Sequence, residues 1–133
     1  MLGVTASILL SGMTVSPQVD VGRFDSERFP AAPMRERQLP YDELLPPIEE
    51  ILRAGLCRFE GQSYRRFDIR IPYAVLLAPD GTARRFIVRD MGCAPLETFA
   101  GHIMIDLVRA GDFRPTGRAV PAWHVGELRF TVE

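Results

Sequence analysis

His102 and Asp106 stand at i and i+4, a spacing that on a helix puts an imidazole beside a carboxylate able to orient it as a general base. Such a pair does no covalent chemistry without a nucleophile. Ser63 is the nearest candidate by type, and nothing in the sequence places it there. A solvated helix face accounts for the two residues with fewer assumptions. His124, the other histidine, falls in an alternating segment. It has the chemistry of a pH switch, but the simpler expectation is a strand residue with its polar end in water. The two histidines and the two cysteines, Cys57 and Cys93, match no zinc-ligand spacing, so no metal is expected. There is no Gly-rich phosphate loop and no G-x-S-x-G, so neither a cofactor nor an enzyme is expected. Arg65, Arg66, Arg70, Arg84, Arg85 and Arg89 gather in one stretch and could form an anion-binding or membrane-surface patch. Glu60, Asp68 and Asp90 are interleaved with them, and a solvated, salt-bridged face is the preferred account.

The 133 residues fit one domain with a modest core. The net charge of −1 argues against a dedicated nucleic-acid binder. All 16 basic residues are Arg and Asn is absent, a pattern of codon usage from which no function is read. Residues 1–15 are uncharged and mostly apolar or small, too short to span a bilayer as a helix. They read best as the apolar part of a secretory signal. No Lys or Arg precedes the run, and no clean A-x-A site follows it, so a plain terminus is the alternative. An even cysteine count in a small exported domain suggests one disulfide; two unrelated thiols in a cytosolic protein are the other possibility.

Candidate residues need elements to position them. Residues 16–41 carry Pro17, Pro30, Pro33 and Pro40 among mixed charges and read as an extended linker to a domain at 42–133. A short helix is expected over 46–54, with Pro46 and Pro47 in its first turn and Gly55 as its stop. Residues 67–78 alternate Phe67, Ile69, Ile71, Tyr73, Val75 and Leu77 onto one face, as a strand does. Pro79-Asp80-Gly81 turns the chain, and residues 82–90 return as a second strand. Leu96, Phe99, Ala100, Ile103 and Leu107 carry a helical period across 95–110, where Gly101 is suited to close approach to the sheet. Residues 122–132 form a last strand, with Gly126 marking a bulge.

Connectivity then predicts an α+β fold. Three antiparallel strands in the order 2-1-3 pack on one main helix, after a short preceding helix. The last strand lies at the rim, where its outward backbone groups can take up an extended peptide. Trp123, Val125, Glu127, Arg129 and Thr131 are the candidate binding residues. Trp123 could anchor a partner, although a lone Trp in a small domain more often packs.

From Cys57 to Glu133 the chain resembles the C-terminal domain of TonB-like proteins. The resemblance rests on the D-G hairpin between Val75 and Val88, on L-E-T-F-A from Leu96, on G-D-F-R-P-T from Gly111 and on P-A-W-H-V-G-E-L-R-F from Pro121. It implies a periplasmic module that binds a protein or peptide along its last strand, with an outer-membrane transporter as one candidate partner. A Cys57–Cys93 bridge fits this setting and would tie the first helix region to the start of the main helix. Two features depart from the family: no convincing membrane anchor and no spacer long enough to cross a periplasm, which puts energy coupling in doubt. The alternatives are an envelope protein that pairs its edge strand with a second copy as a homodimer, and a small hydrolase using His102 or His124.

Overall fold

The computed structural model describes residues 17–34 and 40–133, apart from the side chain of Tyr41. The apolar segment at 1–15 therefore lies outside the described residues. The described chain runs β1 (Gln18–Gly22), a 3-10 turn at Ser26–Arg28, α1 (Tyr41–Arg53), β2 (Phe67–Leu77), β3 (Ala83–Arg89), α2 (Ala94–Arg109) and β4 (Ala122–Val132).

The core follows from strand alternation. Phe67, Ile69, Ile71, Tyr73, Val75 and Leu77 of β2 all point to one face and are buried there. Phe86 and Val88 of β3 and Leu128 and Phe130 of β4 join them on that face. The apolar stripe of α2 covers it with Leu96, Ala100, Ile103, Met104 and Leu107, and Ile48 and Ile51 of α1 complete the cluster. Near the start of α2 the Glu97 carboxylate turns back and accepts the N–H groups of Met91 (2.6 Å) and Cys93 (3.3 Å). That satisfies the N–H of the N-cap residue, Cys93, and one donor of the loop before it.

The expected three-stranded antiparallel sheet is not the one that forms. The sheet has four strands, is mixed, and runs β1-β3-β2-β4. Both α1 and α2 pack with it. The extra strand comes from the stretch expected to be a linker: β1 lies parallel to β3, with Val19 opposite Phe86 and Val21 opposite Val88. Its five residues carry only two valines and an aspartate, too few for a periodicity to register. What holds it is non-local. The free side of β3 supplies a ladder, and Gly101 on α2 leaves room for Val19, whose Cγ1 would lie 3.2 Å from a Cβ at that position. The first helix differs as well. It starts at Tyr41, five residues before the expected position, and Pro46 and Pro47 lie inside it. Their missing N–H groups leave the carbonyls of Asp42 and Glu43 without helical donors; both residues are exposed, so water can serve them.

Pro72 sits within a fully paired strand, opposite Glu127. Its nitrogen points to the β3 side of β2, and the β2–β3 pairing stops one residue away, at Tyr73. No ladder bond is lost there.

After β1 the chain crosses the sheet face opposite the helices. Arg89 of β3 donates to the Phe24 carbonyl (2.9 Å) and to Ser26 Oγ (2.8 Å), with its guanidinium 4.5 Å above the Phe24 ring. Asp25 accepts from the Glu27 N–H (3.0 Å) and caps the 3-10 turn. Phe29 reaches β4, its ring centroid 6.5 Å from that of Trp123. The segment then rounds the rim of β4, and Met34 accepts from the Tyr73 hydroxyl through its sulfur at 3.1 Å. Residues 23–34 thus form a strap from one rim of the sheet to the other. Ala74 of β2 points into the strapped face and is fully buried.

Two further constraints tie the domain together. Cys57 and Cys93 form a disulfide that joins the loop after α1 to the start of α2, 36 residues apart. Closing a loop of that size contributes about 3–4 kcal/mol through the unfolded chain. The Tyr73 ring lies across Gly126 of β4, where an added Cβ would overlap it. That explains the glycine, and the β2–β4 register runs through it without a bulge. Gly126→Ala should therefore cost about 2 kcal/mol, as overpacking does. Urea denaturation would register this as a lower midpoint, and an unchanged midpoint would contradict the packing.

Candidate functional site

The direction of every backbone group on β4 follows from one pair of hydrogen bonds. Val125 donates to the Pro30 carbonyl (2.9 Å) and accepts from the Ala32 N–H (2.8 Å), so both of its main-chain groups point away from β2. In an antiparallel ladder such outward residues recur at every second position. Trp123, Val125, Glu127, Arg129 and Thr131 therefore turn their N–H and C=O groups outward, while His124, Gly126, Leu128, Phe130 and Val132 pair with β2. These five outward residues are the ones proposed from the sequence.

The strap divides the five. Trp123 is half-buried between Phe29 and Arg85, whose guanidinium lies 5.8 Å from the indole. Val125 is half-buried and spent on the strap. The expectation of a continuous open edge is thus corrected at its first half, because residues 30–32 cover it. Glu127, Arg129 and Thr131 are exposed, and among the described residues no backbone hydrogen bond reaches their outward groups.

The open half has its own side-chain order. Arg129 grips Asp68 of β2 with Nε and Nη2, each 3.0 Å from a carboxylate oxygen. Thr131 adds its hydroxyl at 3.3 Å, and Arg70 stands 3.6 Å from the same carboxylate. The Arg129 hydrogen bonds hold the Asp68 carboxyl below its ordinary value, helped by the charges of Arg129 and Arg70 and by the Thr131 hydroxyl. The cluster ties β2 and β4 side chains together across the outer face of the sheet. Beside it opens a polar cleft of about 240 Å³ lined by Gln62, Arg66, Asp68, Arg129 and Thr131.

Comparison with known protein families, with curated proteins and with solved structures finds no match for this chain. Its chemistry has to be read from its own residues.

The other candidates do not assemble into a site. His102 and Asp106 are both exposed on α2, and among the described residues no hydrogen bond joins them. Ser63 is used in a tight turn, where its Oγ accepts from the Arg66 N–H (3.2 Å). His124 departs from expectation. It is buried on the helix side of β4, with Nδ1 3.0 Å from the Ala122 carbonyl. Among the described residues no group of three or more His, Cys, Asp or Glu could hold a metal ion, and no helix is long and apolar enough to cross a membrane. The hairpin arginines are dispersed in use: Arg85 pairs with Asp20 of β1 (3.1 Å), Arg89 holds the strap, and Arg70 shares Asp68 with Arg129 of β4.

The Asp68 cluster makes a pH prediction. A depressed carboxyl stabilises the fold above its unfolded value, and that contribution is lost as the pH falls through the lower, folded value. Asp68 should titrate below the ordinary aspartate value by carbon-detected NMR, and Arg129→Gln should move it upward. An unshifted Asp68 in the native protein would contradict the ion pair.

Proposed function

We propose that this chain is an exported, TonB-like C-terminal domain that binds an extended peptide or protein segment by strand addition. The observation that carries the reading is the row of outward N–H and C=O groups at Glu127, Arg129 and Thr131, which have no backbone partner among the described residues. A strand laid beside them would gain main-chain hydrogen bonds at a regular spacing, with side chains alternating between the Asp68 cluster and the opposite face. Edge strands without such a role are commonly short, bulged or covered. Here half of the edge is covered and half is left straight and, among the described residues, open, which favours use over neglect. The Cys57–Cys93 disulfide supports an oxidising compartment such as the periplasm, since such bridges rarely persist in the cytosol. An outer-membrane transporter segment is one partner of the required form.

The homodimer reading is less favoured on charge. The antiparallel register that pairs all three open residues with their copies sets Arg129 directly opposite its own copy, and like charges so placed are destabilising.

Peptides selected from a random heptapeptide library against the folded domain provide the test. They should slow amide exchange at Glu127, Arg129 and Thr131. Glu127→Pro, which removes one outward donor, should weaken them about tenfold. Glu127→Ala, which keeps the donor, should leave affinity within about threefold. Selected peptides that protect none of these amides would overturn the reading.

A further inference from the structure

The strap already does at Val125 what a partner would do at Glu127. Ala31 runs parallel to Val125, and the two hydrogen bonds to Pro30 and Ala32 are those of a parallel ladder. The pairing cannot grow in either direction. Toward the start of β4 the next donor to the Trp123 carbonyl would be the N–H of residue 30, and proline has none. Toward the end of β4 the Glu127 N–H would need the Ala32 carbonyl. That oxygen accepts instead from Met34 N–H at 2.9 Å, in a three-residue turn centred on Pro33, whose fixed φ suits such a turn. Two prolines thus restrict the strap to two bonds. The only ring contact over this stretch among the described residues is Phe29 on Trp123. On either side the strap is held independently: by Arg89 at Phe24 and Ser26, and by the Tyr73–Met34 and Arg114–Pro33 contacts. Between these anchors residues 27–32 are held to the rim by the two Val125 hydrogen bonds, the Phe29 ring and the packing of Ala32 against the core.

We infer that the strap is an intramolecular competitor for the edge of β4, and that an extended peptide docked at Glu127–Thr131 displaces residues 29–32 and lengthens its ladder to Val125 and Trp123. The inference rests on the strand-addition reading. It makes the strap a regulator of affinity, because the fully open edge is only a fraction of the free protein and the apparent dissociation constant rises by the inverse of that fraction.

Phe29→Ala removes the ring that holds the strap without touching the ladder. The library-selected heptapeptides should bind this variant about tenfold more tightly than the native chain. In the free native chain, the Val125 amide should exchange about tenfold faster than those of His124 and Leu128. Phe29→Ala should speed exchange at Val125 further and leave Leu128 unchanged, which also verifies the fold. Equal affinity in the two proteins, with 127–131 protected in both, would overturn the competition and leave the docking reading standing. Val125 exchanging in step with Leu128, or unaffected by Phe29→Ala, would overturn it as well. Absence of protection at 127–131 in both proteins would overturn the docking reading and this inference with it.

Discussion

Buried or not, each N–H and C=O on the outer side of an edge strand must find a partner or face water. On β4 that requirement is met in two ways along one strand. At Val125 the partner is the chain itself, through Pro30 and Ala32. From Glu127 onward no described part of the chain supplies a backbone partner. The boundary between the two is set by Pro33, whose turn takes the Ala32 carbonyl away from β4. The strap reaches Val125 with its start anchored by β1 on the far rim and its path across the face held by Arg89. The segment before α1 thus contributes to both rims of the sheet, as a strand beside β3 and as a clamp beside β4.

The two faces of the sheet are held by different chemistry. The helix face is apolar apart from the buried His124 and packs Phe86, Phe130, Tyr73 and Leu96 at full burial. The strapped face is mixed. Apolar residues at Ala74 and Trp123 lie under the strap, while Asp68, Arg70, Arg129 and Thr131 form a charged cluster where the strap is absent. Exposed ion pairs of this kind contribute little stability. Their significance here is geometric: they join side chains of β2 and β4 beside a backbone that has no partner among the described residues.

How much of this was legible depended on period and on distance along the chain. β2, the hairpin, α2 and β4 declare themselves because alternation or a 3.6-residue period runs through Phe67–Leu77, Leu96–Leu107 and Leu128–Val132. The parity of the edge was legible as well, since Trp123, Val125, Glu127, Arg129 and Thr131 share one side by simple alternation. Their occupancy was not, because it is decided by residues about ninety positions away. β1 was hidden by its length and by the prolines around it. One signal could have pointed to a cover: residues 73–78, Tyr-Ala-Val-Leu-Leu-Ala, are apolar at every position, as expected of a strand buried on both faces. A lone helix covers only one face, so the run called for a second layer. The start of α1 is not legible because Pro46 and Pro47 look like a first turn, whereas exposure at Asp42 and Glu43 lets them sit deeper in the helix.

The central claim is that β4 has one half-edge closed by the strap and one half-edge open. Scalar couplings across hydrogen bonds, read by NMR between amide nitrogens and carbonyl carbons, test it bond by bond. The account predicts couplings from Val125 nitrogen to the Pro30 carbonyl and from Ala32 nitrogen to the Val125 carbonyl, and none from the amides of Glu127, Arg129 and Thr131. Couplings from those three amides to another part of the chain, or none at Val125, would contradict it.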